Sequence, residues 1–228
     1  MTNFVMVPGM WLGAWAWDAV AEPLRAAGHD VTAVTLGGLA ERASEAGAAT
    51  LESHIGDVVA AAGEHPAVTL VAHSYGCFPV RGAVERLAGR VTRVVYVDSG
   101  PVPDGTAQAD FGTEPDPTGT AVAPPSFDPA DDPVLFAGLE GRSAWIRERA
   151  TPHPYATVAA KLRLRDPDQP PTDLVCSTFT RDNVEGMIAA GHPFFAGLDR
   201  RDYRVHELPT GHWPMFSRPA DLAALLDR

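Results

Sequence analysis

One stretch of ten residues, Val68-Thr-Leu-Val-Ala-His-Ser-Tyr-Gly-Cys77, limits the fold more than any other part of this chain. It opens with a short apolar run rich in β-branched residues, the composition of a strand buried on both faces in a parallel sheet. The run stops at Ala72-His73-Ser74-Tyr75-Gly76. Residues 78–87 then continue with apolar spacing that predicts a helix ending at about Ala88. A strand that turns directly into a helix brings its two arms close together, so Ala72 and Gly76 must be small, and the Ser74 side chain is lifted clear of the sheet. There the helix N-terminus offers unpaired N–H groups and the positive end of a dipole, both of which favour negative charge.

The rest of the chain supplies a sheet for that turn. Residues 4–7 predict a buried strand, residues 8–13 a loop, and residues 15–26 a helix closed by Gly28. A strand follows at 31–35, then a surface loop at 40–50 and a helix at 51–63 with Ile55, Val58 and Val59 on one face. A further strand at 91–97 has Asp98 at its carboxyl end. Apolar strands alternating with helices predict an α/β fold with a doubly wound, mostly parallel sheet. Such sheets bind ligands beyond the carboxyl ends of their strands. The loop at 9–11, Ser74 and Asp98 all fall there.

The alternation breaks after residue 100. Residues 101–133 hold eight prolines and few large apolar side chains, so they cannot supply core strands. Helices are expected at 134–149 and 155–164. We read 101–170 as a cap or lid inserted between two parts of one core, 1–100 and 171–228. The alternation resumes with a strand at 173–177, a helix at 184–190, a strand at 203–208, the turn Pro209-Thr-Gly-His-Trp-Pro214 and a helix at 220–226.

A net charge of −11 without a basic stripe argues against nucleic acid and anionic membrane surfaces as partners. The two cysteines, Cys77 and Cys176, show neither disulfide nor metal spacing. No leader or membrane span is evident, so the expectation is a cytoplasmic protein, monomer or homodimer, with no cofactor and no metal.

A serine hydroxyl near neutral pH needs a base, a group orienting that base, and donors for the oxyanion. The base candidate is His212, in the loop between the last strand and the last helix. His29, His54 and His65 fall in predicted surface helices or loops and His206 inside a strand. His73 adjoins Ser74 but must point away from it, which suits a structural or pocket-lining role.

These pieces together resemble the α/β-hydrolase superfamily, and within it the small serine esterases and hydroxynitrile lyases, in an actinobacterial-type form. The resemblance rests on Val7-Pro-Gly-Met-Trp-Leu-Gly-Ala-Trp-Ala-Trp17, on Leu24-Arg-Ala-Ala-Gly-His-Asp-Val-Thr-Ala33, on the serine turn and on Thr210-Gly-His-Trp213. It implies a core of about six strands that lacks the family's N-terminal hairpin. It also implies oxyanion donors at the backbone N–H groups of Met10 and Tyr75, although Pro8-Gly9 stands where the family usually has His-Gly. The family's acid usually follows the strand ending at Ser177, where this chain has Thr178 to Thr180 and, slightly late, Asp182. The superfamily's other place is the strand end before the cap, where Asp98 stands in Tyr96-Val-Asp-Ser-Gly-Pro101. Asp98 is the first choice and Asp182 the alternative; without a catalytic role, Asp98 would cap the following turn and Asp182 would N-cap the next helix.

Trp15 and Trp17 suit the core, whereas Trp11, Trp145 and Trp213 suit the walls of a pocket for an apolar acyl or alcohol group. The implied activity is cleavage of a carboxylic ester, thioester or lactone of a small, largely apolar molecule through an acyl-enzyme on Ser74. Two alternatives share the scaffold. One is hydroxynitrile lyase chemistry, although Gly9 and Trp213 stand where those enzymes carry a threonine and a lysine. The other is a receptor-like or cyclase-like small-molecule-binding protein.

Overall fold

Residues 1–87, 89–165, 170–195, 198 and 203–228 are described by the computed structural model. Among them, eight strands form: β1 (Asn3–Val7), β2 (Asp30–Ala33), β3 (Val68–His73), β4 (Val91–Val97), β5 (Ala121–Val122), β6 (His153–Pro154), β7 (Thr172–Cys176) and β8 (Tyr203–Glu207). Six build one sheet in the order β2-β1-β3-β4-β7-β8, every pair parallel. The two-residue strands β5 and β6 pair antiparallel with each other. The helices are α1 (Asp18–Ala26), α2 (Leu51–Ala62), α3 (Cys77–Arg86), α4 (Ser143–Arg149), α5 (Tyr155–Ala159), α6 (Arg181–Ala189), α7 (Pro214–Ser217) and α8 (Pro219–Leu226).

Strand side chains alternate between two buried clusters, as the period of two in a sheet covered on both faces requires. Val5, Val7, Leu70, Ala72, Val94 and Tyr96 join the residues of α2, α3 and α6. Phe4, Met6, Val71, Val95, Val97 and Val175 join those of α1, α7 and α8. No described helix is long and apolar enough to cross a membrane.

The sheet register decides where chemistry can occur. Val7 pairs with Ala72, His73 with Val97, Val97 with Val175, and Cys176 with Glu207. Five strands therefore end level, and residues 8–11, 74–75, 98, 177–178 and 208–213 are delivered to one edge. The chain runs from β1 out to β2 and returns across β1 to β3. That reversal opens a crevice between the carboxyl ends of β1 and β3, so the loop after β1 lies against the serine turn.

Several local expectations differ from what forms. The stretch expected as a surface loop is a series of 3-10 turns over Ala40–Ala48, because it is rich in alanine and glutamate and retains helical preference. The helix expected from residue 15 begins as a 3-10 turn (Ala14–Trp17) before α1. The helices expected at 134–149 and 155–164 shrink to α4 and α5, with Gly138 and Gly141 at positive φ breaking the first. The helix expected from 184 begins at Arg181, because Thr180 and Asn183 form a capping box, which makes Thr180 the N-cap rather than Asp182. The expected helix end at Ala88 and residues 166–169 of the insertion lie outside the described residues.

Gly76 illustrates how tightly the serine turn is built. A Cβ there would lie 2.8 Å from the carbonyl oxygens of both Val7 and Pro8. These are backbone atoms at and just beyond the carboxyl end of β1 and cannot easily move. Gly76→Ala is expected to lose about 1–3 kcal/mol of stability through overpacking, measured by urea unfolding; a variant as stable as the parent would contradict this packing.

Candidate active site

Ser74, Asp98 and Trp11 share an uncommon backbone conformation, with φ of +51°, +45° and +68°. Each such non-glycine residue costs of order 1–3 kcal/mol and persists only where surrounding contacts over-determine it. Each also follows directly on a strand end or its loop, so the sheet holds the strain in place.

Asp98 is buried, and an unpaired carboxylate there would be costly. Four contacts satisfy it. Oδ1 accepts from the backbone N–H groups of Ser177 and Thr178, both at 2.9 Å. Oδ2 accepts from the Thr178 hydroxyl at 2.8 Å and from His212 Nδ1 at 2.6 Å. Burial by itself would push the Asp98 carboxyl up; the bond and charge of His212 and the two backbone donors outweigh it and hold the carboxyl below its ordinary value. Asp182, by contrast, is exposed in the first turn of α6. The structure therefore pairs His212 with Asp98, and Thr178, the first residue of the stretch Thr178 to Thr180 where the resemblance places the family's usual acid, donates to the same carboxylate. The sequence marks Thr178 only as a vacancy in an expected pattern.

The His212 turn is fastened from two sides. His73 donates from Nε2 to the His212 carbonyl at 2.7 Å, and the two rings tilt together at 4.8 Å. Burial, then the neighbouring His212, pushes His73 down to about 3, so it is a neutral strut and does not line the cavity. From the insertion, Leu135 and Ala137 carbonyls accept from His212 and Gly211 N–H at 2.8 and 3.1 Å. A Cβ on Gly211 would come within 2.6 Å of backbone atoms of both Leu135 and Ala137, so only glycine allows this approach.

Gly9 plays a similar part in the loop after β1, since a Cβ there would lie 2.8 Å from His73 Nδ1 and 2.9 Å from Ser74 Cβ. Next along, Trp11 is tied to the insertion at three points. Its indole N–H donates to Val122 O at 3.0 Å, its carbonyl accepts from Thr151 N at 3.0 Å, and its N–H donates to His153 Nδ1 at 3.4 Å. The Tyr75 hydroxyl, on the other side of Ser74, bonds His54 Nδ1 at 2.9 Å. His54 is fully buried rather than on the surface as expected, because α2 turns this residue into the core beside Tyr75. Neither His54 nor His153 carries a local sequence signal; the bonds that tie them to Gly37, Tyr75 and Trp11 join residues distant in the chain.

Ser74, His212 and Asp98 line a cavity of about 620 Å³. Its walls are mostly apolar, from Trp11, Phe111, Phe179, Phe194, Phe195 and Trp213, with Met10 beside Trp11. Gln108, Thr178 and His192 supply further polar groups. Trp145 corrects an expectation, since it does not line this cavity. The short α4 carries it onto Trp15 and Phe216, with ring centroids 5.3 and 6.0 Å away, and Arg149 stacks on it at 4.6 Å. Trp17 is core, and Trp15 stacks on Phe216.

The family model described as "Alpha/beta hydrolase family" matches residues 4–225. A carbendazim hydrolyzing esterase from Nocardioides sp. (strain SG-4G) is 30% identical over 243 residues, spanning 99% of this chain and 98% of its own length. Methyl jasmonate esterase 1 of Vitis vinifera is 27% identical over 267 residues, spanning 98% and 95%. Among solved structures, an extracellular alpha/beta-hydrolase from a Paenibacillus species shares the fold, with a TM-score of 0.76 at 21% identity over 99% of this chain and 98% of that one.

The buried histidines set an acid limit on stability. Burial lowers His54, His73 and His153 below the ordinary imidazole value near 6.5. The unfolded chain therefore binds more protons than the native one once pH falls below that value, and stability must drop as pH is lowered. Between pH 6 and 5 the loss approaches roughly 1.4 kcal/mol per pH unit for each histidine that stays neutral. Urea midpoints by tryptophan fluorescence should fall steeply over this range; a flat profile from pH 7 to 5 would contradict the buried neutral state.

Proposed function

Because the chain belongs to the alpha/beta hydrolase family, we propose that it cleaves the ester of a small, neutral, largely apolar molecule through an acyl-enzyme on Ser74. It is a carboxylic ester hydrolase, as its esterase relatives are. The observation that carries the residue assignment is the 2.6 Å bond between buried Asp98 and His212 Nδ1, at the wall of the cavity that Ser74 also lines.

The steps follow from that geometry. With Nδ1–H committed to Asp98, His212 presents Nε2 as a free base. Nε2 takes the Ser74 hydroxyl proton as Oγ attacks the ester carbonyl carbon. The carbonyl oxygen becomes an oxyanion held by the backbone N–H groups of Met10 and Tyr75. Asp98 stabilises the imidazolium without taking its proton. As the tetrahedral intermediate collapses, the C–O bond to the alcohol breaks and His212 protonates the leaving oxygen. Water then attacks the acyl-Ser74 with His212 again as base, releasing the acid and restoring the hydroxyl.

The aromatic walls favour aryl or alkyl groups on at least one side of the ester. The positions that would distinguish a hydroxynitrile lyase are Gly9 and buried Trp213, which supply no cation to hold a leaving cyanide. Trp11 and Trp213 line the same cavity as Ser74 and His212, which suits them to hold those aryl or alkyl groups.

An ester panel graded in acyl and alcohol size, run on wild type and three variants, tests this reading. Ser74→Ala should abolish turnover. Asp98→Asn should lower kcat by about 10²- to 10⁴-fold, the scale seen when a triad acid is neutralised. Asp182→Asn should stay within about twofold of wild type, as a surface substitution does. A larger loss for Asp182→Asn than for Asp98→Asn would move the acid to the end of β7. Ligand binding without turnover, unaffected by Ser74→Ala, would make the protein a receptor, and cyanide release from an aromatic cyanohydrin without ester turnover would make it a lyase.

A further inference from the structure

The buried side chains of His54, Tyr75, His153 and Thr157 form a second cluster, and none of these side chains takes part in the steps above. Its hydrogen bonds fix both imidazole tautomers. The Thr157 hydroxyl donates to Pro154 O at 2.8 Å, so it can only accept from His153 Nε2, 2.9 Å away. His153 therefore carries its proton on Nε2, and its bare Nδ1 accepts the N–H of Trp11 at 3.4 Å. At His54, Gly37 O can only accept, at 2.8 Å, so Nε2 again carries the proton and Nδ1 accepts from the Tyr75 hydroxyl at 2.9 Å. The His153 ring meets Tyr75 edge-on at 4.5 Å and His54 at 6.0 Å.

This cluster touches both segments that carry the oxyanion donors. Trp11 follows Met10 and holds a φ of +68°. Tyr75 contributes one donor through its backbone while its side chain is gripped by the two histidines. We propose that His153 is a positioning residue for the oxyanion pocket: its Nε2–H tautomer holds the strained Trp11 turn and its ring braces Tyr75, so that the Met10 and Tyr75 amides converge on one point. The proposal rests on the hydrolase reading above and names residues that set its transition-state geometry. Burial keeps His153 and His54 neutral, as the arrangement requires. A proton on His153 Nδ1 would face the Trp11 N–H, a donor that cannot accept. The groups that bear on these two rings are Tyr75 and Thr157, together with Asp57 and Arg42, which act on His54 by charge.

The test compares wild type with His153→Phe, His153→Asn and Thr157→Val on an ester that wild type turns over. Phenylalanine keeps a ring but removes the acceptor, whereas the asparagine Oδ1 can take the place of Nδ1. His153→Phe should lower kcat about 10- to 100-fold with KM within about threefold, because a donor serving the transition state is misaimed rather than deleted. It should weaken a trifluoromethyl ketone, whose adduct with Ser74 carries an oxyanion, by the same factor while leaving the matching methyl ketone unaffected. His153→Asn should recover most of the kcat, and Thr157→Val, which releases the tautomer, should show a smaller kcat loss of the same kind.

If His153→Phe does not fold, His153→Asn and Thr157→Val carry the comparison. Equal weakening of the two ketones, an unchanged kcat, or an asparagine variant no better than phenylalanine would overturn the proposal and leave His153 as packing alone. An active wild type with these outcomes fails this proposal only. A wild type that neither turns over esters nor reacts with a fluorophosphonate fails the hydrolase reading, and the proposal with it.

Discussion

The buried charge of Asp98 is the constraint on which the site depends. A carboxylate at the end of a central strand, cut off from water, must be surrounded by donors or it will not stay ionised. The fold meets that need with four contacts from two other strand ends: two amides and a hydroxyl after β7, and the imidazole after β8. These contacts are possible because the parallel register brings the ends of β3, β4, β7 and β8 level. Satisfying the charge and orienting His212 are therefore one event. The same bond that spares Asp98 an unpaired charge leaves His212 Nε2 free toward the cavity.

The segment between β4 and β7 does more than line the cavity. Its backbone at Leu135 and Ala137 grips the His212 turn, and Val122, Thr151 and His153 grip Trp11. The loops that carry His212 and Trp11 thus lean on the same segment between β4 and β7. Each of these loops also contains a glycine whose absent side chain permits a close approach, Gly211 to Leu135 and Ala137, and Gly9 to His73 and Ser74 of the serine turn. Strain at Trp11, Ser74 and Asp98 is tolerated because each is held by neighbours that are themselves anchored in the sheet or the insertion.

How much of this was legible in the sequence follows the range of the interactions. The strands, the serine turn and the histidine turn are local patterns of apolar periodicity and small residues, and they form where that pattern predicts. Two candidates for the acid are open in the sequence because Asp98 and Asp182 both follow strands; sheet register brings Asp98 to His212, and the Thr180–Asn183 cap places Asp182 on an exposed helix. Trp145 was misassigned because a tryptophan in the insertion carries no direction without the length of α4. His54 and His153 were missed for the same reason, since the bonds that tie them to Gly37, Tyr75 and Trp11 span 17 to 142 residues. The insertion has little periodicity of its own, and its short elements are set by what they lean on.

The most direct measurement of the central claim is intact-mass and peptide mapping after reaction with a fluorophosphonate, followed in time for wild type, Asp98→Asn and Asp182→Asn. The account predicts a single adduct on Ser74, formed slowly in Asp98→Asn and at the wild-type rate in Asp182→Asn. An adduct elsewhere, no adduct on folded wild type, or slowing in Asp182→Asn but not in Asp98→Asn would contradict it.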